Sequence, residues 1–417
     1  LAAEAADEGA LSLAADHDYG LAVDIGTTTL AAALVDCTDG KILATATAVN
    51  SQRSFGADVV SRIGAACHGK GKALQKAVRR DLTRLMKQLL KDHPGTAARC
   101  RQMAIAANTT MLHLLMGWPC DGLGDWPFHP VSLGGKTYRA QEVLGPQSPL
   151  ADATVTLLPG MSTYVGADIT AGIWQCGLAS SDDVSLFVDL GTNGEMVLGN
   201  KDQRFIASAP AGPALEGGKL TWGTGSVPGA ICGVRIERGR AKVRTIDHTV
   251  PVGICGTGIL EAMAGLVREG LVDETGKLVE PYFHKGFPLA STLDYQRITL
   301  SQQDIREIQM AKSTIRAGIE SLIERSGISR QRVHQVFLAG GFGYYLDPQK
   351  AAVIGLLPAD LAERTTAVGN TSLKGAIGLL TGAVTLEELQ AIAAGVEEIV
   401  LGNDEAFQRL YIDYLNF

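Results

Sequence analysis

Closely spaced cysteines are missing from this sequence. The seven that occur, Cys37, Cys67, Cys100, Cys120, Cys176, Cys232 and Cys255, are scattered and odd in number, and no two stand at C-x-x-C spacing. That pattern argues against a structural zinc site or a short-spaced iron–sulfur motif within these residues. The thiols read instead as small buried hydrophobes in a reducing cytoplasm. Runs of lysine and arginine are also missing. With 37 basic against 44 acidic residues and a formal charge of −7, the chain offers no basic field to a nucleic acid or an anionic membrane surface. Long apolar runs are absent as well. Met103–Leu115 and Ile254–Leu266 are interrupted by Asn108, His113 or Glu261 and fall short of the roughly 20 residues a membrane span needs. Neither a Walker loop of the form G-x-x-x-x-G-K-[ST] nor a kinase catalytic loop occurs, and His113, His129 and His334 show no metal-ligand spacing.

What is present suits a soluble α/β protein. At 417 residues, 46% of them hydrophobic, the chain exceeds what one compact core usually organises, so two domains are expected. Leu1–Asp16 has helical composition but no strand or motif, and 1–18 reads as the end of a linker whose upstream part has been removed. No charged and apolar leader pattern is found there. From Tyr19 the pattern is strand (Tyr19–Asp24), Gly-Thr turn, strand (Leu30–Asp36), Asp39-Gly40 turn and strand (Ile42–Val49). A basic amphipathic helix follows from about Lys72 to Lys91, with Leu74, Val78, Leu82, Leu85, Met86 and Leu89 at helical spacing. After the strand Gln102–Ala107 comes an irregular stretch, Gly117–Gly160, in which Trp118, Trp126 and Phe128 are read as loop packing rather than a partner surface.

Then the opening theme returns. Val184–Asp189 is a strand, Gly191-Thr192-Asn193-Gly194 a turn, and Glu195–Gly199 a second strand. The two turns, Asp24-Ile25-Gly26-Thr27-Thr28-Thr29 and Asp189-Leu190-Gly191-Thr192-Asn193-Gly194-Glu195, repeat one design. Such a turn places backbone N–H groups and threonine hydroxyls around a phosphate, and Gly26 and Gly191 let the backbone approach it. Asp24 and Asp189 face the gap and can hold Mg²⁺ through its waters. One such turn is easily an ordinary polar hairpin; a matched pair reads as a clamp. Leu338-Ala339-Gly340-Gly341-Phe342-Gly343 ends a strand in glycines against which a nucleoside can lie. Gly212 and Glu216, and the helix start at Gly256 and Thr257, are candidate nucleotide contacts, with Glu216 a candidate for the ribose and structural turns the equal alternative.

Asp24–Thr29, Gly166–Gly172, Asp189–Glu195, Leu338–Gly343 and Gly369–Ala376 resemble, in order, the five signatures of the acetate/sugar kinase, DnaK-type chaperone and actin superfamily. The resemblance implies a two-lobed actin-like ATPase fold, duplicated mixed-sheet domains with a nucleotide cleft between them, here 19–175 and 176–417. It implies a five-stranded sheet in each lobe and small residues where connecting helices cross. Within that superfamily three longer runs are similar to the reductive activators of corrinoid proteins. These are Val-Asp-Leu-Gly-Thr-Asn-Gly-Glu-Met, Ala-Pro-Ala-Gly-Pro-Ala-Leu-Glu-Gly and Ile-Cys-Gly-Thr-Gly-Ile. That family implies ATP, Mg²⁺ and a corrinoid methyl-carrier protein as partner, with Co(II) returned to Co(I) and Glu195 orienting the water that attacks ATP. It also implies a homodimer and an N-terminal [2Fe–2S] domain whose cluster cysteines do not occur here. The rivals are a small-molecule kinase of the same fold and a non-catalytic nucleotide-binding regulator; a chaperone role is disfavoured.

Overall fold

The computed structural model describes residues 17–146, 148–150, 152–340, 346–402 and 404–417. Two six-stranded sheets carry the fold. The first begins with β1 (Tyr19–Ile25), β2 (Thr29–Asp36) and β3 (Ile42–Val49). β1 and β2 are buried along nearly their whole length, and accordingly read as continuous apolar runs. β3 alternates with threonine and alanine and forms the edge, with Ile42 and Val49 exposed. After β3 the chain makes the short helix α1 (Val59–Ala65), capped by Asp58, and then α2 (Gly71–Asp92). α2 buries Leu74, Val78, Leu82, Leu85, Met86 and Leu89, the stripe its sequence periodicity marks out.

β4 (Cys100–Ala107) runs parallel to β1 and delivers the chain to α3 (Thr109–Met116), which Asn108 caps. β5 (Lys136–Arg139) and β6 (Thr154–Leu157) complete the sheet in the order β3-β2-β1-β4-β6-β5. These two strands lie within the stretch whose sequence reads as irregular, and they extend the expected five strands to six. Each has four residues, too few for alternation to show, and β5 is a polar, mostly exposed edge.

α4 (Ala167–Gln175) crosses to the second sheet, which opens with β7 (Val184–Leu190), β8 (Gly194–Gly199) and β9 (Arg204–Ala209). An inserted layer follows: β10 (Ala230–Glu237), β11 (Arg240–Thr245) and β12 (Gly253–Ile254) with α5 (Gly256–Arg268), then the hairpin β13 (Phe287–Ser291) and β14 (Arg297–Leu300). The long helix α6 (Gln302–Ser326) covers β8 and β9. β15 (Val333–Ala339), β16 (Thr365–Gly369) and the two-residue β17 (Glu397–Glu398) give the order β16-β15-β7-β8-β9-β17. α7 (Thr371–Leu380) closes the design. The duplication seen in two turns is therefore a duplication of topology. In each sheet an antiparallel meander (β1-β2-β3, β7-β8-β9) is joined on its first strand by two parallel strands (β4-β6, β15-β16).

Between the sheets lies a third apolar core, with alanines on its first-sheet side. Ala22, Ala31, Ala33, Ala104 and Ala106 from the first sheet meet Phe187, Val197 and Ile206 from the second through α4 and α7. The two helices cross so closely that a Cβ on Gly375 would lie 2.3 Å from that of Ala171. A Cβ on Gly172 would lie equally close to the Phe187 ring, and one on Gly378 to the Trp174 indole. Small residues thus set the separation of the lobes at their crossing. Among the described residues no helix is long and apolar enough to cross a membrane.

This packing distinguishes two glycine positions. Gly375→Ala forces the α4–α7 crossing apart and is expected to destabilise the protein by about 1–3 kcal/mol in chemical denaturation. Gly64→Ala, in α1 with nothing within 4 Å of the new methyl, is expected to be neutral or to stabilise by up to about 1 kcal/mol.

Candidate functional site

Both meanders turn on the same local geometry. Between β1 and β2 the Gly26 N–H donates to Thr29 O (3.0 Å), and a Cβ at Gly26 would stand 2.7 Å from that oxygen. Between β7 and β8 the Gly191 N–H donates to Asn193 O (3.1 Å), but a Cβ there would meet nothing closer than 3.5 Å. Gly26 is required by the turn's own packing, whereas at Gly191 the space lies open to a ligand. Asn50 steadies the first turn by donating to Gly26 O (3.0 Å), and Asn108 by donating to the Thr27 hydroxyl (3.1 Å). Thr27 and Thr192 are buried, Thr28 and Asn193 half-buried, and Thr29 exposed.

The turns face each other. The hydroxyls of Thr28 and Thr192 lie 3.3 Å apart, and both donate to one carboxylate oxygen of Glu216, at 3.1 and 2.6 Å. The Glu216 carboxylate, which sequence suggests for a ribose contact, thus stands between the two turns. It follows Gly212, whose φ of +75° and open surroundings leave that backbone accessible.

Carboxylates crowd the same cleft. Asp24, at the end of β1, accepts from Asn370 Nδ2 and Ser372 Oγ, both at 2.7 Å. Asn370 also caps α7 by accepting from the Leu373 N–H, so the start of this helix is tied to the first turn. Asp189 occupies the matching place on β7 and pairs in register with Glu195. Asp168, in the first turn of α4, completes the group. The close approach of that helix depends on Gly166, whose Cβ would stand 2.4 Å from Asn108 Cα.

Burial raises the pKa of every member. Asp168 is pushed up to about 7 by burial and the nearby Asp24 charge. Asp189 and Glu195 lie well above the usual carboxylate range, through burial and then their acidic neighbours. Asp24 is raised by burial despite its two hydrogen bonds, and Glu216 by burial despite its threonine donors. Acidic side chains at one place suit a hard divalent cation, which would relieve their repulsion; no three of Asp24, Asp168, Asp189 and Glu195 bring carboxylate oxygens within 4.8 Å of one another, so water would complete the coordination of an ion held there.

Gly340 follows β15 at φ +114°, and a Cβ there would lie 2.4 Å from Leu190 O and 3.1 Å from Asp189 Oδ1, so this strand end abuts the second turn. Gly341 and Phe342 lie outside the described residues. Gly256 and Thr257 open α5, buried against β10. Glu195 is buried on its strand, not surface-exposed as a carboxylate just past a turn usually is. Sequence reasoning missed Asp168, Asn370 and Ser372 as site residues. Asp168 is the only charged residue in Gly166–Gly172, a signal available but attributed to helix packing.

The family model described as the C-terminal domain of RACo, the ASKHA domain, matches residues 183–417, and that of the RACo middle region matches 19–181. The corrinoid activation enzyme RamQ of Eubacterium limosum is 33% identical over 415 residues, spanning 94% of this chain and 69% of that protein. The [Co(II) methylated amine-specific corrinoid protein] reductase of Methanosarcina barkeri is 25% identical over 431 residues, 96% of this chain and 77% of that one. The solved structure of a reductive activator for corrinoid, iron–sulfur protein superposes with a TM-score of 0.91 at 34% identity, covering 97% of this chain and 67% of that chain.

The charge cluster makes a pH prediction. A carboxyl whose pKa is higher folded than unfolded favours the fold at low pH, and that contribution is lost as pH rises from the unfolded value near 3.8 through the folded value, about 7 for Asp168. Without divalent cations the melting temperature is therefore expected to fall between about pH 4 and pH 7. Millimolar Mg²⁺ should restore it more at the upper end, and Asp168→Asn should flatten the dependence. Thermal denaturation across that range checks this.

Proposed function

The chain belongs to the RACo family of reductive activators of corrinoid proteins, and we propose that it binds Mg²⁺·ATP between its two sheets to drive reduction of a corrinoid protein. In this reading one electron takes the partner's cobalt from Co(II) to Co(I), and nucleotide binding and hydrolysis make that uphill transfer possible. The observation that carries the proposal is the joining of two equivalent turns, Gly26–Thr29 and Gly191–Asn193, over a group of half-buried carboxylates.

Each residue has a role that its position supports. The N–H groups and hydroxyls of the two turns bind phosphate oxygens from opposite lobes. Asp24, Asp168 and Asp189 would hold Mg²⁺, directly or through water, and the ion would supply neutralisation of the phosphate charge. Asp24 is kept in place by Asn370 and Ser372. Glu195 and Asp168, both raised in pKa, are the groups suited to orient a water and take its proton at a carboxylate oxygen.

Because phosphate ligands come from both lobes, ATP favours the closed cleft, and its loss releases it; the α4–α7 crossing is the pivot. Closure alters the surface offered to the Co(II) corrinoid protein and so couples nucleotide to partner. The electron itself comes from a low-potential donor, a [2Fe–2S] domain in the arrangement the sequence resemblance implies. The seven free thiols suit a reducing cytoplasm. A sugar kinase is the weaker reading, because both curated relatives aligned along almost the whole chain are corrinoid-protein activators or reductases.

ATP hydrolysis by this chain is expected to rise when a Co(II) corrinoid methyl-carrier protein is added. Asp189→Asn should lower the stimulated rate about 100-fold or more. Phosphate release followed with and without the corrinoid protein measures it. Turnover that needs a sugar or carboxylic acid, and yields its phosphate ester, would replace this reading with the kinase.

A further inference from the structure

At the outer edge of the first sheet a groove of about 960 Å³ runs between β3 and α2. Its floor is apolar, formed by Ala48, Phe55, Ala77 and Leu85. Its rim is basic. Arg53 comes from the turn Ser51–Ser54, and Lys76, Arg80 and Arg84 follow at intervals of four residues along one face of α2. No acidic side chain is among the described residues that line it. Asp81, beside it in sequence, is buried and accepts from the N–H and hydroxyl of Ser51 at 2.8 and 2.9 Å, with Arg84 3.4 Å away. Arg53, Lys76 and Arg80 are exposed and make no ion pair among the described residues. In a chain whose formal charge is −7, cations gathered without counter-charges over an apolar floor select an acidic occupant that also carries apolar side chains.

The segment Leu1–Asp16 has that composition. It carries Glu4, Asp7, Glu8 and Asp16, no lysine or arginine, and Leu1, Leu11 and Leu13 among alanines. It joins the described structure at His17, which bonds to Asp36 at the end of β2. That end of the sheet is where β3 begins, with Ile42 opposite Val35. The groove opens at Thr47, roughly 20 Å along the strand and 10 Å across two strand spacings. Sixteen residues span about 24 Å as a helix and about 53 Å fully extended, so the segment reaches it in either form.

We propose that Leu1–Asp16 docks in this groove, with its carboxylates over Arg53, Lys76 and Arg80 and its leucines on the apolar floor. Exposed ion pairs of this kind are individually weak. A tethered segment meets them at an effective concentration on the order of millimolar, so a few suffice where a free acidic peptide would dissociate. The groove also adjoins the first turn of the cleft. Ser51 follows Asn50, whose side chain donates to Gly26 O at 3.0 Å, so the docked segment rests against the element that steadies that turn.

Carbodiimide coupling of the full chain, which joins a carboxylate to an amine only where the two touch, tests this when the linked peptides are read by mass spectrometry. Lys76 is expected to be joined to Glu4, Asp7 or Glu8 of the same chain. The yield should fall about fivefold or more in 1 M NaCl, where the screening length is about 3 Å, and in Arg80→Glu. Mixing isotopically labelled with unlabelled chain separates the sources. Lys76 joined only across the two forms would give the groove to a second copy and overturn the proposal. Acetylation of Lys76 supplies a second readout, expected to quicken about fivefold or more in the triple variant Glu4→Gln, Asp7→Asn, Glu8→Gln. An acetylation rate that the triple variant leaves unchanged, or no link from Lys76 to these carboxylates, also overturns it.

Discussion

The carboxylates of Asp24, Asp168, Asp189 and Glu195 repel one another inside a cleft that screens them poorly, and the rest of the structure holds them there. Strand ends deliver three of the four, and the first turn of α4 delivers the last. Left in water these side chains would separate. Sheet register fixes Asp189 opposite Glu195, and the cap residues of α7 tie down Asp24. Burial first, and for Asp168, Asp189 and Glu195 then their acidic neighbours, raises their pKa values. A protein that stores repulsion at one place gains affinity there for whatever cancels it, and a divalent cation carrying a polyphosphate does so.

The second requirement is that two lobes act on one ligand. It is met where side chains are smallest. Gly172, Gly375 and Gly378 let α4, α7 and the β7 face approach within distances no Cβ would allow. That crossing sits within a buried apolar core that both sheets share. At the mouth of the cleft the contact is polar: Thr28, Thr192 and Glu216 meet through hydroxyl and carboxylate, bonds a ligand can replace one for one. A tight pivot and an exchangeable latch are what nucleotide-dependent closure needs.

The duplicated turns were legible because glycine, threonine and aspartate recur at fixed spacing after an apolar strand, and short-range geometry dictates what such a turn can hold. α2 was legible from its leucines for the same local reason, and the fold class followed from the order of the motifs. β5 and β6 were not, since four-residue strands carry too little pattern and are defined by their neighbours. Asp168 was visible as a lone charge in a small-residue helix, but only the folded chain puts α4 beside Asp24 and Asp189. Glu216 was found as a candidate and given to the ribose. Its bond to two turns 24 and 188 residues away is a fact of tertiary structure that no spacing encodes.

The claim on which all of this depends is that one divalent cation and one nucleoside triphosphate share the cleft with Asp24, Asp168 and Asp189. Electron paramagnetic resonance of Mn²⁺, substituted for Mg²⁺ with ATP present, tests it most directly. The account requires one bound Mn²⁺ per chain that shows coupling to phosphorus, and loss of that species in Asp189→Asn. Mn²⁺ that stays free, or binds without phosphorus coupling and regardless of Asp189, would contradict it.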